Sequence, residues 1–391
     1  MKKIMILAGR YLPGYKDGGP VRTIKNVTDS IGDMYEFSVV CNDRDHGDAE
    51  KYSGVQINEY NNVGKAAVYY VGDGKFTFRL IKKLANQHDL LYVCGPYNGY
   101  AIKALILNKL HLIKCPFVLA PMGSFSKGAL AIKNSKKKIF LSIFKTLGMF
   151  NRVYFSVTSP VEEKELREVI PVKTKCYIAE DMQRNVDLTL VHGEYKKDNM
   201  LNLVFISRIC EKKNLSMAID VLMNVSEPVK FHIYGNIEDE EYWKLCQDKL
   251  SRLPNNIEWK YTGELNSEEV VKTLSLYDAF LFPTLGENFG HVISEAMSAG
   301  CIPVISDTTP WLDIEEKQAG WVIPLFCHKD ETDCREKMND FEFSTIITQL
   351  CKMTKDEIAV ISKNAREYST RKYEESISNN GYVEMFDELI R

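Results

Sequence analysis

The sequence predicts an α/β chain of two doubly wound, parallel-sheet domains facing across a cleft. Short β-like runs alternate with helical stretches, the pattern of parallel βαβ units. That rhythm stops at a polar stretch and then starts again. The chain has 391 residues, enough for two such domains, each with its own core. Ligands bind such sheets at the carboxyl ends of strands, so functional residues are expected just after strands.

In the first half, Ile4–Ala8, Phe37–Cys41, Leu90–Val93, Phe117–Ala120 and Val153–Thr158 read as strands. Val21–Gly32 and Phe76–Gln87 read as helices between them. Met1-Lys2-Lys3 has the outline of a secretory leader, but the apolar run behind it is short and Arg10 interrupts it. A polar hinge is expected between Asp187 and Asn199. Beyond it, Leu203–Ser207, Phe231–Gly235, Glu258–Tyr261, Ala279–Pro283 and Ile302–Ile305 read as strands again. The expected domains are Rossmann-like and span residues 1–190 and 191–372.

Apolar residues make up 45% of the chain and charged residues 26%, an ordinary globular balance. No apolar stretch approaches the ~18 residues that argue for a membrane-spanning helix. Ten cysteines include no Cys-x-x-Cys pair, so reduced thiols in a cytosolic protein are expected. Cys327, His328 and Cys334 lie close in sequence, but no metal is expected there. Asp43-Arg44-Asp45 reads as a solvated loop. The net charge of −3 conceals a lopsided distribution. Up to residue 185 there are 28 Lys and Arg against 17 Asp and Glu; the remainder has 22 against 36. Leu90 to Val161 contains no acidic residue. A negatively charged partner for the first half follows, with nucleic acid and an anionic membrane surface as the candidates.

Within that stretch Lys133, Lys136, Lys137, Lys138 and Lys145 interleave with Phe140, Ile143, Phe144 and Leu147. The apolar positions form one helical stripe. One reading is a core-facing stripe with a solvated basic face; the other is an interfacial helix on anionic lipid. No nucleic-acid module motif is present, so no nucleic-acid partner is expected.

The densest chemistry lies between Gly286 and Gly300. Glu287 sits in a glycine-flanked turn after an apolar run, and Glu295 eight positions later inside an amphipathic helix. Asn288, Phe289 and Gly290 fill the turn. A helix N-terminus attracts phosphate, and carboxylates accept hydrogen bonds from sugar hydroxyls. Such a pocket suits a nucleotide sugar. Earlier, Ser207-Arg208-Ile209-Cys210-Glu211-Lys212-Lys213-Asn214 puts Arg208 and Lys213 on one strand-to-helix loop, where two cations can neutralise a diphosphate. Gly18-Gly19-Pro20 lets backbone approach a ligand and opens a helix. Gly235 and Gly263 follow strands.

These segments resemble the signature of retaining glycosyltransferases, glycosyltransferase family 4, whose architecture is GT-B. The resemblance implies that Glu287 contacts the donor sugar, Glu295 the ribose, and Arg208 and Lys213 the diphosphate of a UDP- or GDP-sugar. Gly18, Gly19, Gly235, Gly263, Asn288, Phe289 and Gly290 would line the donor. It implies no cofactor or metal, and a last helix, about 373–391, crossing back to the first domain. It further implies a lipid-linked or oligosaccharide acceptor, and a cytoplasmic setting at the inner face of a bacterial membrane. Met122, in Ala120-Pro121-Met122-Gly123-Ser124, stands where a His or Arg often precedes the glycine. A methionine side chain neither donates a hydrogen bond nor carries charge, so a general acid or base role there is in doubt. A sugar-nucleotide epimerase and a non-catalytic binding protein are the rival readings. Nucleotide release with and without acceptor separates them.

Overall fold

The computed structural model describes residues 1–125, 134–170, 175–184, 200–326 and 339–391. The chain divides into two compact units, residues 1–182 with 376–391, and residues 183–375. Positions 190 and 191, the expected boundary, lie outside the described residues.

Unit 1 contains β1 (Lys2–Leu7), β2 (Tyr35–Asn42), β3 (Tyr60–Val63), β4 (Ala66–Val71), β5 (Leu90–Cys94), β6 (Phe117–Ala120), β7 (Tyr154–Val157) and β8 (Cys176–Ile178). Their order is β3-β4-β2-β1-β5-β6-β7-β8. Only β3 runs antiparallel, as a hairpin edge on β4. Both faces of this sheet are covered. Ile4 and Ile6 of β1 join one core with Val39 and Val118, while Met5 and Leu7 join the other with Val40 and Leu91. Strand side chains alternate between faces, so a strand without polar residues must be buried on both. The sequence reading passed over β3, β4 and β8. The three residues of β8 are too few to display a period.

The C-terminal segment differs from the single helix expected over 373–391. A long helix, Lys355–Ser378, ends before Asn380. The Asn380 side chain then accepts hydrogen bonds from the Tyr382 and Val383 N–H groups and starts a separate helix, Gly381–Leu389. A Cβ at Gly381 would lie 2.3 Å from the Ile178 carbonyl oxygen, so only glycine allows this approach to β8. Phe386 packs edge-on to Tyr35 and Tyr92.

Unit 2 contains β9 (Leu201–Ile206), β10 (Val229–Tyr234), β11 (Ile257–Gly263), β12 (Ala279–Phe282), β13 (Ile302–Ser306) and β14 (Trp321–Ile323). All five pairings are parallel, in the order β11-β10-β9-β12-β13-β14. Numbered within the unit this is 3-2-1-4-5-6, the order of dinucleotide-binding sheets. One continuous core runs through it, from Phe205 and Phe231 to Phe280 and Phe343.

Phe386 is 1% exposed in an aromatic cluster with Tyr35, Phe37 and Tyr92. Phe386→Ala is expected to lower the unfolding free energy of unit 1 by about 3–5 kcal/mol. Chemical denaturation checks this, and a loss under 1 kcal/mol would show that the last helix contributes little.

Candidate functional site

The order of the unit 2 sheet reverses between β9 and β12. A crevice forms at the carboxyl ends of the two strands where such a sheet reverses. Arg208 and Lys213 lie on the loop after β9, and Glu287 on the loop after β12. Lys213 Nζ and Glu287 Oε1 are 2.6 Å apart. Both side chains are nearly enclosed, 12% and 10% exposed. The Lys213 ammonium also stands 5.6 Å from the centre of the Phe282 ring.

Local structure explains how the two loops meet. A short 3₁₀ turn, Glu211–Lys213, ends at Asn214 in the left-handed conformation, which asparagine tolerates. The Asn214 amide donates to the Pro283 carbonyl at 2.8 Å, tying the end of β12 to the β9 loop. Leu285 N–H donates to the Lys212 carbonyl. Thr284 is fully buried, and its hydroxyl lies 2.9 Å from Glu287 Oε1 and 3.2 Å from the Lys212 carbonyl. It has one proton, and the shorter contact is to a charged acceptor, so it donates to Glu287. The Ser306 and Thr308 hydroxyls both donate to the Thr284 carbonyl at 2.7 Å. Glu287 N–H donates to the Thr308 carbonyl.

Around this pair the loop is cationic. Arg208 is paired with Glu238, more openly, at 37% and 48% exposed. Desolvation holds the Lys212 pKa below its ordinary value; Glu287 opposes that shift, while Lys213 and Arg208 reinforce it. An anion in the crevice would relieve the repulsion among the three cations. Gly235 follows β10 with φ +140°, and a Cβ there would sit 1.7 Å from the Ser207 carbonyl oxygen. Its N–H donates to the Gly263 carbonyl at 2.8 Å. The ends of β9, β10 and β11 therefore step past one another in close backbone contact.

The turn Asn288-Phe289-Gly290 leads into the helix His291–Ala299, with Gly290 left-handed at its N-cap and Gly300 left-handed at its end. Phe289 packs against His291 and Trp311, and the Trp311 indole N–H donates to the Phe289 carbonyl. His291 and Trp311 thus pack the turn. The helix differs from the amphipathic one expected. Every residue except Val292 is buried, and Glu295 is 5% exposed.

Gly18 and Gly19 belong to unit 1, whereas Arg208, Lys213, Gly235, Gly263, Glu287 and Glu295 belong to unit 2. Gly18 is left-handed, with φ +63°, ahead of the helix Gly19–Ile31. Nearby, Asp17 pairs with Arg10 and His46. Asp43-Arg44-Asp45 corrects the sequence reading, because both carboxylates are buried. Asp43 accepts from Arg44 and the Asp73 N–H, and Asp45 from the N–H groups of Tyr15, Lys16 and His46. They anchor loop backbone. Met122 and Gly123 are both left-handed, and Glu162 holds the Gly123 N–H at 2.6 Å.

In the helix Asn134–Thr146, Phe140 and Phe144 stack and pack on the core, while Ile143, and Leu147 just past the helix end, are exposed. The apolar stripe therefore divides between core and surface. Lys137 stands over the Tyr97 ring, and Lys145 donates to the Val169 carbonyl. Lys133 and the side chains of Lys136 and Lys138 lie outside the described residues, as do Cys327, His328 and Cys334. Among the described residues no group of His, Cys, Asp and Glu could hold a metal ion, and no helix is long and apolar enough to cross a membrane.

Sequence reasoning missed Thr284 and Glu238. Thr284 carried one local signal, a hydroxyl directly after a strand and three positions before Glu287. Glu238 carried none, since its partner is 30 positions away.

Residues 191–342 match the family described as Glycosyl transferases group 1. No curated protein matches the chain in sequence. Among solved structures, HepE of Anabaena, in complex with UDP and glucose, is similar at 16% identity and TM-score 0.68, covering 100% of both chains. Sucrose-phosphate synthase of Thermosynechococcus elongatus is similar at 13% identity and TM-score 0.71, covering 100% of this chain and 99% of that one. WaaG, a glycosyltransferase involved in lipopolysaccharide biosynthesis, is similar at 12% identity and TM-score 0.61, covering 94% and 95%. The two parallel-sheet units thus have GT-B glycosyltransferases as structural neighbours. With the group 1 domain, they support a glycosyltransferase of the GT-B type.

Gly235→Ala and Gly263→Ala both place a side chain at positive φ, but only Gly235 is crowded. Gly263→Ala is expected to lower stability by about 1 kcal/mol and Gly235→Ala by clearly more. Denaturant titration of both variants measures the difference, and equal losses would show that Ser207 yields without strain.

Proposed function

We propose that the chain is a retaining glycosyltransferase. It moves a hexose from a nucleoside diphosphate sugar, UDP- or GDP-linked, to a lipid-linked or oligosaccharide acceptor in bacterial surface polysaccharide synthesis, such as O-antigen or capsule. The observation that carries this is the meeting of Lys213 and Glu287 at the reversal of a parallel sheet, inside a glycosyl transferases group 1 domain. The sheet edge supplies cations for a diphosphate and carboxylates for hydroxyls in one place. Similar folds are known with UDP and glucose, and in lipopolysaccharide biosynthesis.

In the mechanism, the bond from the sugar's anomeric carbon to the diphosphate oxygen breaks, and the electron pair leaves with the diphosphate. Arg208 and Lys213 stabilise that charge, which is the largest catalytic contribution. They take the part that a metal ion would otherwise play. The acceptor hydroxyl attacks from the same face and passes its proton to the departing diphosphate oxygen. Glu287 orients the sugar, and Glu295 holds the ribose. The glycines at 18, 19, 235, 263 and 290 let backbone approach the donor beside Asn288 and Phe289. The enzyme works in the cytoplasm, peripherally at the inner face of the membrane, where the basic helix faces anionic lipid.

Incubation with a panel of UDP- and GDP-sugars, with and without isolated lipid-linked acceptors, tests the activity. Nucleotide release should require acceptor, and NMR of the product should show the donor's anomeric configuration. Arg208→Ala and Lys213→Ala should each lower turnover by ~10²–10³ while remaining folded. Wild-type turnover in either variant would remove the clamp assignment.

The lipid contact has its own test. Each Lys near an anionic surface contributes about 1 kcal/mol, screened by salt. Replacing Lys136, Lys137 and Lys138 by Gln should reduce flotation with anionic liposomes at low salt and leave turnover of a soluble acceptor nearly unchanged. Equal flotation would make the Lys cluster an ordinary solvated face.

A further inference from the structure

Both cations assigned to the diphosphate are already held by carboxylates of their own unit. Arg208 pairs with Glu238, and Lys213 with Glu287. The two pairs carry different weight. The first is largely open to solvent, where ion pairs contribute little. The second is enclosed and 2.6 Å long, so its attraction is less screened. A diphosphate entering the crevice competes with Glu287 for the Lys213 ammonium.

We infer that Glu287 acts as an internal stand-in for the diphosphate, and that this makes the site favour the intact donor over the spent nucleoside diphosphate. The assignment of Lys213 to the diphosphate, made above, underlies this. When phosphate takes Lys213, Glu287 keeps the Thr284 hydroxyl at 2.9 Å and loses its bonded cation. Lys212 still attracts it, but the missing donor leaves an enclosed carboxylate under-satisfied and facing a new anion. The hydroxyls of an intact donor can replace the lost N–H. A nucleoside diphosphate brings charge and no sugar hydroxyl, so it opens the pair without repairing it. After transfer the sugar leaves with the acceptor, Lys213 returns to Glu287, and the closing pair helps to expel the product. Glu287 thereby sets specificity as well as orienting the sugar.

The test is calorimetry with UDP, GDP, UDP-glucose and GDP-glucose on wild type, Glu287→Gln, Glu238→Gln, Lys213→Met and the double variant Glu287→Gln with Lys213→Met. Glutamine preserves shape and removes the charge. Glu287→Gln should bind the preferred nucleoside diphosphate about tenfold more tightly than wild type, given the coupling typical of close, desolvated charge pairs. Its preference for the sugar-linked form should shrink. Glu238→Gln should change affinity less than about twofold, as expected of an exposed pair. The gain should vanish in the Lys213→Met background, which a merely structural role for Glu287 would not produce. Equal or weaker nucleoside diphosphate binding by Glu287→Gln overturns the inference, and so does a gain that survives without Lys213. Wild type that binds neither diphosphate overturns the parent assignment together with it; wild type that binds one while Glu287→Gln shows no gain overturns the stand-in alone.

Discussion

In a sheet whose strands all run parallel, every carboxyl end lies on one edge, and every crossover must return the chain to the opposite edge. Unit 2 obeys that constraint across six strands. Its order reverses between β9 and β12, so the loops leaving those two strands are the pair that face an open crevice. The other features of the candidate site depend on this. It brings a cationic loop against an acidic one, and it lets Lys213 and Glu287 pair while both remain nearly enclosed. Enclosure gives the pair weight that the open Arg208–Glu238 contact lacks.

Holding two loops at hydrogen-bonding distance requires backbone that few residues tolerate. Asn214 is left-handed and spends its amide on the end of β12. Gly235 has no room for a Cβ beside Ser207. Thr284 is the hub between the strands, with its hydroxyl on Glu287 and its carbonyl accepting from Ser306 and Thr308. Polar side chains thus position the acidic loop from beneath, while Phe282 lies under the ammonium. Such satisfied networks favour one geometry, because a buried group left without its partner is penalised.

Unit 1 uses buried carboxylates differently. Asp43, Asp45 and Glu162 collect backbone N–H groups from loops that have no sheet partner. In the acid-free stretch, by contrast, Phe140 and Phe144 anchor their helix to the core while Ile143 and Leu147 stay outside. One helix therefore serves both core and surface. That explains why its sequence stripe admits both a core-facing and a surface reading.

Local chemistry in the sequence determined a good deal. Alternating runs of apolar strand and helix define two parallel-sheet units, because burial on both faces leaves no polar residue in β12 or in the Ile4–Leu7 part of β1. Glycine-flanked Glu287 and the Arg208–Lys213 loop stand out as candidates because they follow strands, and the fold brings Lys213 and Glu287 together. The strands β8 and β14, three residues each, are too short to show a period, β3 is polar at Asn61 and Asn62 with no buried residue, and the break at Asn380 needed knowledge of the cap it makes. Asp43 and Asp45 read as solvated because charge favours water, until folding supplied N–H partners that offset desolvation. Only the tertiary structure decided that Lys213 and Glu287, 74 positions apart, neutralise each other, that Thr284 holds Glu287, and that Glu238 pairs with Arg208. Pairings of that kind are set by strand order and loop closure, and no local spacing encodes which two strand ends become neighbours.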